Sequence, residues 1–391
     1  MILVLADDIT GAAEIAGVAL SYGRRTFLSM GHIPQDTNNA DVIVIATDIR
    51  SGDKENAAFV IKRLCRDLKT TVSENKTGLT IFKKTDSVLR GHIGTELHIL
   101  MKHLGYRCSL LIAQNPSKGR IIRNGVYYIG DTPLSDTFFN KDPEFPAHTS
   151  SATELVGKEC SKSLGVNQDL EKAPGIIYIA DATNIAEIKK QAEKMTNDIL
   201  AAGGADFFKN LLNMSTTLSG YMIKSNNIVD KCRLNELKSP SSKILVLCGS
   251  TQSKSIADTK IMHNKNTIVK DIPDDIFEGA SPEIWTDLLC EEYYKSNAFI
   301  IQVGNHELKG AEYARRLRRV MACATKKLVE KAIPDYLIIE GGATAFAALS
   351  SISWESFIVS HEYAPGVVGM IHGKAEIILK PGSYSWGDLF N

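Results

Sequence analysis

The chain has 391 residues, which at roughly 150 residues per domain is enough for two to three domains. Hydrophobic residues make up 44% and charged residues 23%, ordinary globular usage that excludes a disordered, fibrous or disulfide-stapled protein. Lys+Arg and Asp+Glu both total 45, so no net field would hold the chain on nucleic acid or an anionic membrane, and charge-based recognition must be local.

The first predicted strand, Ile2–Ala6, begins at once, with no basic segment or long apolar stretch of a secretory signal before it, so a cytoplasmic protein is expected. It runs into DDITGAAEIAGVAL, where Asp8 or Thr10 caps a helix and Gly11, Ala12 and Ala13 leave backbone N–H groups open to a ligand. This turn is neither a GxGxxG nor a GxxxxGK[ST] loop. Strands follow at Val42–Ala46, Thr80–Lys83 and Ser109–Ala113. Gly119–Ser150 then reads as a β-hairpin followed by an ordered surface excursion; its length and its aromatics Tyr127, Tyr128, Phe138 and Phe139 favour a functional segment. After a strand at Ile176–Ile179, the polar stretch Lys231–Lys243 marks a boundary, giving domains 1–238 and 239–391. The second half places strands at Ile244–Cys248, Ala298–Val303, Tyr336–Glu340 and Ile377–Leu379. Between the second and third, a helix carries Ala314, Leu317, Met321, Ala324 and Leu328 on one face and a solvated basic face around the rest. Apolar runs such as VIVIA and LLIA, alternating with amphipathic stretches, predict an α/β fold: two three-layer α/β/α domains with mainly parallel sheets.

Ligands of such sheets bind beyond the carboxyl ends of the strands. Those ends carry Asp7 and Asp8, Thr47 and Asp48 with Arg50 close behind, Thr85, Asp86 and Ser87 with Arg90, and Asp181. Helix capping explains any one of these aspartates, but the set with its arginines points to a ligand site. The carboxylates suit hydroxyl groups and can act as a general base, with Asp8 and Asp86 both candidates. Arg90 can fork onto a carboxylate while Lys83 or Lys84 faces the same cleft; the bland alternative is a structural Arg–Asp pair. A small molecule with hydroxyls and an anionic group, a sugar acid, fits. In the second half, Gly249-Ser250-Thr251 and Gly341-Gly342-Ala343-Thr344 follow strands and would let backbone N–H groups approach phosphates. The seven cysteines form no CxxC and the nine histidines no HExxH, so reduced thiols and no histidine-built zinc site are expected. No apolar run approaches the roughly 20 residues of a membrane helix.

ADDITGA, KKTDSVLRGHIGTE, the segment GRIIRNGVYYIGDTPLSDTFFNKDPEFP and GGATA near the C-terminus together resemble the four-carbon acid sugar kinase family, in order and spacing over nearly the whole chain. The resemblance implies an ATP-dependent kinase, with an active site in an interdomain cleft, that phosphorylates the terminal hydroxyl of a threonate- or erythronate-type acid. It implies that Asp7, Asp8, Lys84, Asp86 and Arg90 line the acid site, that Ser250, Gly341, Gly342, Ala343, Thr344 and Gly382 contact ATP, and that Mg2+ accompanies the nucleotide, with ligands unassigned and self-association open. Three stretches depart from the family pattern: Ala343 replaces an acidic residue, Gln114–Arg120 (QNPSKGR) replaces an AFPxxGR stretch, and LKPGSYSWGDLFN replaces a more glycine-rich ending. Two readings outside the kinases are a non-catalytic sugar-acid sensor and an ATP-independent aldolase or isomerase using Lys83 or Lys84.

Overall fold

Strongly apolar, β-branched segments become buried strands and the small-residue or amphipathic segments between them become covering helices. A computed structural model describes residues 1–34, 40–74, 79–142, 145–219, 237, 239–249, 266–304, 306 and 310–382. The order up to the middle of the chain is β1 (Ile2–Ala6), α1 (Ile9–Ser21), β2 (Thr26–Met30), β3 (Val42–Ala46), α2 (Lys54–Glu74), β4 (Thr80–Lys84), α3 (Ile93–Leu104) and β5 (Cys108–Ile112). There follow β6 (Arg120–Arg123), β7 (Val126–Ile129), β8 (Thr132–Pro133), α4 (Ala152–Val156), β9 (Ser161–Leu164), β10 (Ile177–Ala180), α5 (Ile185–Ala192), β11 (Ile199–Gly203) and α6 (Ala205–Ser219). The remainder comprises β12 (Ile244–Cys248), β13 (Thr267–Asp271), α7 (Asp274–Glu278), α8 (Glu283–Lys295), β14 (Ala298–Gln302) and α9 (Ala311–Lys331). It ends with β15 (Tyr336–Glu340), α10 (Gly342–Ser351), β16 (Ser356–Ala364), β17 (Val367–His372) and β18 (Ala375–Lys380).

The chain divides into two compact units, Met1–Arg24 with Gly31–Lys224, and Arg25–Met30 with Ser225–Asn391. The proposed boundary at Lys238–Ser239 falls partly outside the described residues, because Lys238 is not among them.

In the first unit the strands run β3-β1-β4-β11-β5-β10-β9, every pairing parallel. Parallel strands align all their carboxyl ends on one edge, and α1, α3 and α6 follow three of those ends directly or after a short loop. One sheet face buries Leu3, Leu5, Ile43, Ile45 and Leu111 against α2 and α3. On Phe82 of β4 pack the rings of Phe207 and Phe208 from α6, at centroid distances of 5.8 and 5.0 Å. Each such buried side chain contributes about 1.5–3 kcal/mol. The segment from Arg120 forms the expected hairpin, β6 on β7, with β8 added as a third antiparallel strand.

In the second unit β13-β14-β12-β15-β18 are parallel, whereas β18, β17, β16 and β2 pair antiparallel. The strand β2 comes from the N-terminal half and pairs with β16 through Ser29↔Ser356, Leu28↔Phe357 and Phe27↔Ile358, a contribution that no single cut of the chain contains. Leu317, Met321, Ala324 and Leu328 are buried along α9, as their spacing predicts, while Arg315 and Arg319 stay exposed.

Candidate active site

Asp7 and Asp8 directly follow β1, and Asp8 caps α1: its Oδ1 accepts from the Gly11 N–H at 2.9 Å, and its Oδ2 accepts from the Thr10 hydroxyl. This carboxylate therefore lies at the positive end of a 13-residue helix. Arg50, brought over by the loop after β3, joins three aspartates. Its Nε and Nη2 donate to the two oxygens of Asp7 at 2.9 and 3.1 Å, its Nη2 also to Asp8 Oδ1 at 2.7 Å, and its Nη1 lies 3.5 Å from Asp86 Oδ1. The sequence signal for Arg50 was its place two residues past Asp48, but its role as the shared partner of Asp7, Asp8 and Asp86 comes only from the fold.

Asp86 follows β4 and also takes the guanidinium of Arg90, Nε at 3.0 Å and Nη2 at 2.9 Å, besides the backbone N–H of Val88 and of Arg90. The other arm of Arg90 reaches Asp142 at 3.0 Å, and its guanidinium lies 5.5 Å from the centre of the Phe139 ring. Asp142 and Phe139 both belong to the excursion after the hairpin, which the sequence marks as functional but whose acid it does not single out. Arg90, expected to fork onto a substrate carboxylate, thus forks onto Asp86.

Burial opposes charge on Asp86, yet Arg90, Arg50 and Lys84 outweigh it and hold its pKa well below the ordinary carboxylate value. Burial likewise penalises Asp7, and Arg50 and Lys83 reverse the effect to leave its pKa lowered. The same aspartates drive the Arg50 pKa upward against its own burial.

The lysines at the end of β4 are committed as well. Lys83 is fully buried and pairs with Glu96 of α3 at 2.8 Å. Lys84 donates to the Thr85 carbonyl at 2.9 Å and lies 3.5 Å from Glu14 of α1, whose other oxygen is 2.5 Å from Lys118. Glu14 is buried mid-helix and was missed because an acid inside an alanine-rich helix resembles a surface residue in sequence. Next to these, Asn115 at the end of β5 accepts the Asp206 N–H on its Oδ1, and its carbonyl accepts the Lys118 and Arg120 N–H groups. Arg120 in turn donates to the Ser87 hydroxyl, and the buried Tyr127 donates to the Ser87 carbonyl. Thr85 Oγ1 and Asn115 Nδ2 are buried without a hydrogen-bond partner among the described residues.

Asp181 does not join this group. It accepts the Gly125 N–H at 3.0 Å and so closes the β6–β7 turn, and burial raises its pKa. Asp48 occupies a left-handed conformation, φ 52°, at the head of the Arg50 loop. Among the described residues no group of three or more His, Cys, Asp or Glu side chains is arranged to hold a metal ion. No helix among them is long and apolar enough to cross a membrane.

In the second unit the expected nucleotide turns surround a buried ion pair. Glu340 ends β15, Lys380 ends β18, and they meet at 2.5 Å, with the lysine also reaching toward the carbonyls of Pro381 and Gly382. Gly341 then turns at φ 100°, and α10 starts at Gly342, with Ala343 and Thr344 in its first turn, no side-chain cap and no acidic residue in that turn. The left-handed position is Gly341; Gly342 is already helical. A side chain on Gly249 would collide with Thr344 Oγ1, so this glycine lets the end of β12 approach the α10 turn. Ser250, expected beside it, lies outside the described residues, as do residues 383–391 of the C-terminal ending.

A parallel α/β sheet with an Asp–Arg cluster at its strand ends, and a second α/β unit with an uncapped, glycine-led helix, define an α/β protein of the class that binds ligands beyond its strand ends. The family described as sugar-binding N-terminal domain matches residues 2–210, and the chain belongs to it, within the four-carbon acid sugar kinases. A D-erythronate kinase of Heliobacterium modesticaldum is 32% identical over 169 residues, covering 42% of this chain and 37% of that protein. A D-threonate kinase of Salmonella typhimurium is 28% identical over 398 residues, 93% of this chain and 89% of that protein. Among solved structures, a Haemophilus influenzae protein of the DUF1537 family superposes with a TM-score of 0.69 at 19% identity, covering 99% of this chain and 98% of the other; this likeness shows the fold.

Proposed function

We propose that the protein transfers the γ-phosphoryl group of ATP, with Mg2+, to the terminal hydroxyl of a threonate- or erythronate-type acid, the first unit binding the acid and the second the nucleotide. The observation that carries the acid-site reading is Asp8. Of the three aspartates gathered by Arg50 it has the most accessible side chain, 13% against 1% for Asp7 and 7% for Asp86. Asp86 is held ionised by Arg90 and Arg50 and is a weak proton acceptor, whereas Asp8 can receive the proton of an approaching hydroxyl. Asp7, Asp86 and Arg90 then serve as the frame that orients Asp8 and the substrate hydroxyls, and Lys84 supports the turn through Thr85 and Glu14.

For the nucleotide, the residues fit: Gly341, Gly342, Ala343 and Thr344 offer the open N-terminus of a 10-residue helix, and Gly382 and Ser250 are assigned to ATP with them. Bound ATP with Mg2+ would supply an activated phosphoryl group whose charge Mg2+ helps neutralise. The chain's part is to position the hydroxyl, exclude water and accept a proton at Asp8.

The lysine-based aldolase or isomerase reading has less support, because Lys83 is sealed against Glu96 and Lys84 against Glu14. A coupled ADP-release screen across the threonate and erythronate stereoisomers tests the kinase reading. Asp8→Asn is expected to lower kcat about 10²–10⁴-fold with a modest change in KM. A variant with unchanged kcat would remove Asp8 as the base.

A further inference from the structure

Every cation that the strand-end cluster places beside the carboxylates answers to a named acid, except one. Arg50 serves Asp7, Asp8 and Asp86; Arg90 serves Asp86 and Asp142; Lys83 serves Glu96; Lys84 and Lys118 share Glu14. Arg120 has no carboxylate within ion-pair distance among the described residues, and the partner of its guanidinium is the neutral Ser87 hydroxyl. It is half-buried, and its backbone N–H is anchored 3.1 Å from the Asn115 carbonyl, so the start of β6 is pinned to the end of β5. Its guanidinium therefore reaches from the start of β6 to the loop after β4, where Ser87 sits next to Asp86. A half-buried arginine with spare N–H donors, fixed at its backbone and lacking a countercharge, is the arrangement that receives an anionic ligand in a fork.

Two further groups mark the same strand ends. Thr85 Oγ1, at the end of β4, and Asn115 Nδ2, at the end of β5, are both in residues almost wholly buried and lack hydrogen-bond partners among the described residues. A buried donor left unmade is costly unless a ligand or water completes it.

We propose that Arg120 holds the carboxylate of the sugar acid, with Thr85 and Asn115 hydrogen-bonding the same ligand, so that Arg120 selects acids over uncharged polyols. The proposal rests on the acid sugar reading and moves the anionic subsite away from Arg90 and Lys84, whose charges are already met within the protein.

The test is calorimetric titration of the full chain with D- and L-threonate, D- and L-erythronate and the uncharged tetritols threitol and erythritol, using wild type, Arg120→Gln and the exposed-site control Arg123→Gln. Loss of a charge-assisted fork is expected to weaken acid binding about 10–100-fold in R120Q, with tetritol binding and the R123Q control unchanged. Unchanged acid affinity in R120Q, or an equal loss for acid and tetritol, overturns the assignment. Should R120Q not fold, wild-type protein is treated with 4-hydroxyphenylglyoxal and Arg120 modification is read by peptide mass spectrometry. Protection by the acid but not by the tetritol supports the proposal, and absence of protection overturns it. Wild-type ADP release with a four-carbon acid separates the two levels: if it is present while R120Q binds normally, only the Arg120 assignment fails. If wild type neither binds nor phosphorylates any of the acids, the kinase reading fails and takes the assignment with it.

Discussion

Replacing Arg50 with glutamine removes the one cation that, among the described residues, touches Asp7, Asp8 and Asp86 together. Asp7 is 1% exposed and has Arg50 across both its oxygens, so the variant leaves a carboxylate buried without its fork. Breaking a buried pair from one side costs about 3–5 kcal/mol; Asp86 keeps Arg90 and Asp8 keeps its capping bonds, which puts the expectation near the lower figure. For a unit of about 200 residues, where 1 kcal/mol moves Tm by about 2–4 °C, a loss of about 6–12 °C follows. The pH dependence has a definite sign. In the wild type the lowered pKa values of Asp7 and Asp86 supply stability that is present above the unfolded carboxylate pKa and lost as pH falls through the folded values. Without Arg50, burial governs Asp7 and raises its pKa, so the folded variant takes up a proton more readily than the unfolded chain and loses less on acidification. The gap between the two proteins should be widest near pH 7.5 and narrow toward pH 4. Urea unfolding followed by circular dichroism at a series of pH values measures it. A difference below about 1 kcal/mol at pH 7.5, or one that does not shrink with acid, would refute the claim that Arg50 neutralises the cluster.

Lys83→Met should cost about 3–5 kcal/mol because Glu96 is left fully buried without its ion pair, and K83M/E96M should recover most of it, read as denaturation midpoints; a double variant no better than K83M would contradict this. Gly341→Ala forces a side chain onto φ 100° at a cost of about 1–3 kcal/mol and should weaken ATP-analogue binding while sparing the acid, whereas Gly342→Ala, at the first helical position, should do neither; equal titrations for the two variants would remove the turn from the nucleotide site.

The nine strands expected from apolar runs all form, because a parallel strand buried on both faces leaves a continuous signature that neighbouring polarity does not blur. Those not anticipated had other patterns. In β11 the run ILAAG is mostly small residues, β9 reads SKSL with its middle residues exposed, β16 is an antiparallel strand of mixed polarity, and the apolar run of β17 is broken by Gly369. The pairing of β2 with β16 joins residues more than 300 positions apart, which no local pattern encodes. The clustering of Asp7, Asp8, Asp86 and Arg90 was legible from their positions after strands. What those residues spend their charges on was not. An arginine four residues from an aspartate reads equally as a ligand clamp or as its partner, and the fold chooses the partner for Arg90. Asp181 shows the converse: its strand-end position matches the others, but the β6–β7 turn beside it takes its hydrogen bonds.

The density of acids at this edge bears directly on how an anion could bind there. Asp7, Asp8, Asp86 and Glu14 would repel a carboxylate ligand if their charges were open, and burial in a medium of low polarity would magnify the repulsion. Arg50, Arg90, Lys84 and Lys118 oppose that field pair by pair at 2.5–3.5 Å, which weakens the repulsion while leaving oxygen lone pairs for hydroxyls. Under that condition a single guanidinium without a carboxylate partner, that of Arg120, is enough to favour an anionic ligand over a neutral one in the proposed site. On the proposed reading, the lattice of internal pairs does two things with the same residues: it fixes Asp8, the carboxylate proposed to accept the proton, and it lowers the electrostatic cost of placing a negatively charged substrate beside it.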